Sequence, residues 1–115
     1  MPVHLKRVYD PPSPEDGLRI LVDLLWPRGL KKEAAALDRW DRDIAPSDAL
    51  RKEFAHDHSR WEEFKARYFA ELDSNPEPVK RIAAEARKGT VTLLFAARDT
   101  ERNNAVALRE YLLGE

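Results

Sequence analysis

Cysteine is absent from all 115 residues, which excludes disulfides, thiolate nucleophiles and thiolate metal sites together. Net charge is nearly absent too: 20 Lys and Arg stand against 21 Asp and Glu, a formal −1. No global field therefore draws the chain to nucleic acid or an anionic membrane, and any anion binding has to be local. No apolar run approaches the roughly 20 residues of a membrane span, and the opening MPVHLKRVYD lacks the apolar core of a secretory signal. A cytoplasmic protein without a membrane partner is expected. The P-loop, GxGxxG, GxSxG and HExxH patterns are also missing, so no motif names a chemistry and no cofactor is expected.

What is present is an ordinary globular composition, 43% hydrophobic and 36% charged, enough for one core in one domain spanning 1–115. Three segments have strand character. Val3–Tyr9 alternates apolar and polar residues, as a half-exposed edge strand does. Arg19–Leu25 and Thr90–Ala97 are nearly continuous apolar runs, expected of central strands covered on both faces.

Four amphipathic helices fill the intervals. Ser47 is placed to cap a short helix from Ala49. Ser59 and Glu62 have the spacing of a capping box ahead of a helix that puts Trp61, Phe64, Tyr68 and Leu72 on one face. Asn75 and Pro76 open a third helix, with Val79, Ile82, Ala83 and Ala86 on its apolar side and Gly89 at its stop. A fourth starts at Asp99 or Thr100 and aligns Ala105, Leu108 and Leu112. Strands separated by helices predict a small single α/β domain, with a mostly parallel three- to four-stranded sheet flanked by about four helices. The connection DPPSPEDG is short for a parallel crossover, so the first strand is expected to be antiparallel or displaced.

Ligands of open α/β sheets sit beyond the carboxyl ends of the strands. At those ends the chain carries Arg7 and Tyr9, then WPRG at Trp26–Gly29, then Arg98 and Asp99. Pro27 and Gly29 turn the backbone and project Arg28, whose planar fork suits phosphate or carboxylate; Lys31 and Lys32 follow. Asp23, inside a strand, needs a partner: Arg7 or Arg98 in an ion pair, or Arg28 as an oriented arm. Asp99 is expected to cap the last helix, with Arg98, Asn103 and Asn104 near its start. The candidate ligand-binding set is thus Arg7, Tyr9, Arg28, Arg98 and Asn104, with Asp23 and Asp99 as candidate bases. The His56–His58 cluster lacks further convergent ligands and predicts no metal site.

KRVYD, DGLRILVDLLWPRGLKK, IAPSDALRKEF, YFAEL, TLLFAARD and NNAVAL occur in this order along almost the whole chain. In this series the chain resembles the YeaO-like proteins, short members of the domain of unknown function 488 superfamily. The resemblance implies a compact cytoplasmic α/β fold and carries no established activity. It also implies an arginine where this chain has Leu24, and, from longer relatives, a cysteine near Phe95. The function expected is binding of a small anionic, phosphate- or nucleotide-like ligand at the Arg-rich strand ends, with turnover undecided. The alternative is a non-enzymatic regulatory module contacting protein or nucleic acid. No basic stripe favours nucleic acid, and homo-oligomerisation stays open.

Overall fold

The segment VTLLF is buried at every position and forms the centre of the sheet. The computed structural model describes residues 2–55 and 57–114, and of residue 58 the backbone alone. Four strands pair in the order β1-β4-β2-β3: β1 is Val3–Arg7, β2 is Leu18–Leu21, β3 is Arg39–Trp40 and β4 is Val91–Phe95. All three pairings are parallel, with Leu5 and Ile20 flanking Leu93 in register. Every strand therefore ends on the same edge.

The helices are α1 (Lys32–Ala35), α2 (Asp48–Phe54), α3 (Trp61–Asp73), α4 (Pro76–Lys88) and α5 (Asn104–Leu113). On one sheet face Val3, Ile20, Val22, Leu93 and Phe95 meet Leu50, Tyr68, Leu72, Ile82 and Leu108 from the four longer helices. Each fully buried Leu or Ile contributes on the order of 2 kcal/mol. The buried Tyr68 hydroxyl donates to the Ile44 carbonyl, so its burial leaves no orphan. On the opposite face no long helix is needed: Val8, Leu21, Leu94 and Ala35 are sealed by Trp26, Leu30, Leu37 and Trp40. Among the described residues no helix is long and apolar enough to cross a membrane.

The first strand is parallel, so the antiparallel option is wrong and the displaced one holds: β4 lies between β1 and β2. Residues 8–17 return across the second face, compacted by a 3-10 turn at Pro14–Asp16 that Ser13 and Asp16 close as a capping box. Asp16 accepts from Lys6 of β1 and Arg19 of β2, and its carbonyl accepts from Thr92 of β4. One residue thus ties three strands to the connection, which is how so few residues complete the crossover.

Helix starts differ from expectation where a nearer polar group competes. Ser47 does cap α2. Ser59 and Glu62 form no capping box: the Asp57 carboxylate takes the Ser59 amide and hydroxyl, and a 3-10 turn precedes α3. Asn75 caps nothing and donates to the Asp43 carbonyl. Asn103, not Asp99, caps α5, accepting from Val106.

A Cβ added at Gly17 would lie 2.3 Å from the Thr90 carbonyl oxygen and 2.8 Å from Thr90 Cβ, at φ +63°. Gly17→Ala is expected to lower unfolding free energy by about 2–4 kcal/mol at unchanged m-value. Urea titration reads this directly, and a loss below about 1 kcal/mol would show that the crossover is not pressed against β4.

Candidate functional site

The Leu25 end expected for the second strand is not reached. The β2–β4 ladder makes its last backbone bond from the Val22 amide to the Leu94 carbonyl. In a continuing parallel ladder the Ala96 amide would donate to the Val22 carbonyl. Instead it donates to Asp23 Oδ2 at 2.9 Å, and the Val22 carbonyl accepts from Asn104 Nδ2 at 3.0 Å. The same Asn104 nitrogen donates to Asp23 Oδ1 at 3.0 Å. Two side chains thereby stand between the strands, and Pro27, expected to turn the backbone, lies four residues beyond Asp23. Among the described residues no arginine pairs with Asp23, so the expected ion pair is corrected to two neutral donors.

Beyond this wedge, residues 23–30 form a loop whose carbonyls are held by side chains. Trp40 Nε1 donates to Asp23 O at 2.7 Å, Arg42 Nε to Leu24 O at 3.2 Å, Tyr9 Oη to Arg28 O at 2.7 Å, and Trp26 Nε1 to Leu30 O at 2.8 Å. Leu30 closes a turn onto Pro27, with Gly29 at φ +74°. Arg28 is exposed at its tip, and no hydrogen bond or ion pair of its guanidinium occurs among the described residues. Helix α1 is a single turn, and Lys31 and Lys32 line neither hollow described next.

Two adjoining hollows open on this edge and share Arg28, Ala96 and Ala97. The shallow one brings together Arg7, Tyr9, Arg28 and Arg98. Arg7 is already engaged, donating to the Ala97 and Ala96 carbonyls at 3.0 Å each and lying over the Tyr9 ring. The deeper one, about 470 Å³, contains Asp23, Asn104 and Arg28, and its walls include Trp26, Phe54, Trp61 and Phe64. Asp99 lines neither; its carboxylate accepts from the Glu101 and Arg102 amides in the turn before α5.

Arg51 and the aromatic wall were not in the expected set. Arg51 Nη2 donates to Asp48, yet its buried Nε has no acceptor. The signal available was its position three residues before Phe54, which sets a cation on the same side of α2 as an aromatic. Among the described residues no cluster of His, Asp or Glu could hold a metal ion. His56 and the His58 side chain, on which the histidine reading rested, lie outside them.

The family model described as "Inactive DUF488-N3 subclade" matches residues 2–115. The uncharacterized protein YeaO of Escherichia coli K12 is 46% identical over 112 residues, 97% of each chain. The uncharacterized protein Rv3073c of Mycobacterium tuberculosis H37Rv is 38% identical over 116 residues, 97% of this chain and 94% of that one. No solved structure matches.

Two carboxylates are held in opposite electrostatic situations. Burial pushes the Asp23 carboxyl above the ordinary 3.8, and the bonds from Asn104 and Ala96 only partly offset it. Burial also raises Asp16, but the Ser13 amide, Lys6 and Arg19 outweigh it, and the net direction is down. Asp23 therefore contributes most to stability below its unfolded pKa and loses that contribution as pH rises through its folded pKa. Asp16 contributes above its unfolded pKa, and the contribution is lost as pH falls through its folded pKa. Side-chain carbon NMR titration is expected to place Asp23 above 3.8 and Asp16 below it; the reverse order would refute this account of the edge.

Proposed function

The chain belongs to the inactive DUF488-N3 subclade, and within it we propose a protein that holds a small anionic organic molecule at the sheet's carboxyl edge without transforming it. One observation carries this reading: the Arg28 guanidinium stands exposed where the two hollows meet, with no protein partner among the described residues. Its backbone carbonyl is pinned by Tyr9, so the cation sits on a fixed base. Arg98 shares the shallow hollow and is likewise without a partner. The orphan Nε–H of Arg51, a residue of the deeper wall, adds a buried donor that an anion would satisfy. A volume of about 470 Å³ falls in the usual range for small-molecule sites.

The absence of turnover is supported by the lining itself. Among the described residues, the deeper pocket presents no Ser, Thr, Tyr, Cys or Lys as a nucleophile; its carboxylates are Asp23 and Asp57, and Asp57 accepts from the Ser59 amide. A cytoplasmic setting, among small phosphorylated molecules, belongs to the same proposal.

Calorimetry with nucleoside monophosphates and inorganic phosphate tests it. Arg28→Ala is expected to weaken the mononucleotides at least tenfold, about 1.4 kcal/mol or more, with the far-ultraviolet spectrum unchanged. Mass spectrometry is expected to recover the nucleotide intact after prolonged incubation. Undiminished affinity would refute the site, and conversion of the nucleotide would refute the non-catalytic reading.

A further inference from the structure

Asp23 is a carboxylate in a pocket, and among the described residues no cation bonds to it. Each oxygen accepts one protein donor, Oδ2 from the Ala96 amide and Oδ1 from Asn104. Each oxygen has a second lone pair, and the residue lines the deeper pocket. Two acceptor oxygens held on one rigid carboxylate match two adjacent N–H donors on a planar partner, the geometry that makes forked donors bind carboxylates well.

The walls extend the match. Trp61 and Phe64 stack on each other with centroids 5.7 Å apart, and Phe54 meets Phe64 edge-on at 5.9 Å. All three line the same pocket as Asp23. Aromatic and apolar walls favour a flat ring; the lining sets Arg28, Arg51 and Arg102 beside Asp23 and Asp57, with Arg51 also paired to Asp48.

We propose that Asp23 reads the donor edge of a planar heterocycle, and that the ligand is a guanine-type mononucleotide, its ring amide and amino N–H groups on Asp23 and its phosphate toward Arg28. This rests on the anion-binding reading above. Guanine presents two adjacent N–H donors on one edge. Adenine and cytosine place an acceptor beside their amino donor, and uracil flanks a single N–H with two carbonyls, so each sets a lone pair against the carboxylate. Asn104 fixes the orientation of Asp23 through its bonds to Oδ1 and to the Val22 carbonyl.

The test compares GMP, IMP, XMP and AMP by calorimetry on the intact protein. IMP lacks the amino donor, and XMP replaces it with a carbonyl. GMP is expected to bind at least tenfold tighter than IMP and AMP, with XMP weakest. Asp23→Asn presents one donor and one acceptor, and is expected to invert the GMP to XMP preference. If that variant fails to fold, the GMP to IMP ratio on the native chain decides alone. Equal affinity for GMP, IMP and AMP, each weakened by Arg28→Ala, would overturn this assignment and leave anion binding standing. Failure of every mononucleotide to bind would overturn both.

Discussion

At the carboxyl edge of the sheet a ladder bond is replaced by side chains. Asp23 takes the Ala96 amide and Asn104 takes the Val22 carbonyl, and the two side chains bond each other across the gap. The end of β2, the end of β4 and the first residue of α5 are joined at one point. In β-sheets the backbone groups at a strand end have to be satisfied by something. Here the substitutes are the Asp23 and Asn104 side chains, and both line the deeper pocket. The raised Asp23 carboxyl records the electrostatic cost of that arrangement: desolvation without a compensating cation.

The cations at this edge then divide by what they hold. Arg7 closes the end of β4 through the Ala96 and Ala97 carbonyls, and Arg42 holds Leu24 from beneath while lying over Trp40. Both hold backbone carbonyls, Arg7 through two of its nitrogens and Arg42 through Nε. Arg28 and Arg98 are left with charge unneutralised. The contrast with the second face is instructive. There Arg19 is buried and donates to Asp16 and to the Ala35 and Ala36 carbonyls, a complete set of partners. The buried arginine is fully engaged, while Arg28 and Arg98, two exposed ones, meet at one hollow.

The sheet and helices were legible where periodicity is strong. Trp61, Phe64, Tyr68 and Leu72 repeat at helical spacing and do pack together, and VTLLF reads as a covered strand and is one. The two-residue β3 left no trace, since Arg39 and Trp40 have no period to show. Boundaries failed where an unforeseen side chain competed: Asp57 displaced Ser59, Asn103 displaced Asp99, and Asp23 ended β2 ahead of Pro27. Of the candidate site, the residues Arg7, Tyr9, Arg28 and Arg98 were found by assuming a common strand edge, and the parallel topology supplies that edge. The aromatic wall and Arg51 were not found, because helical spacing says which residues share a face and not which of them stay open to a pocket.

Two positions bear on why such a site would bind without reacting. The resemblance to YeaO-like proteins implies arginine where Leu24 lines the deeper pocket, half-buried. It also relates Phe95 to a cysteine in longer relatives, and here Phe95 is buried in the helix-side core. Catalysis requires interactions stronger in the transition state than in the ground state, supplied by charge aimed at the reacting atom or by a nucleophile. Leucine at 24 and phenylalanine at 95 offer neither. On the proposed reading, Arg28 and the Arg51 Nε–H would supply an anion with binding donors without a group aimed at a reacting atom. Uniform binding of this kind makes, on the same proposed reading, a holder, with Asp23 and Asn104 fixing the ladder gap at its base.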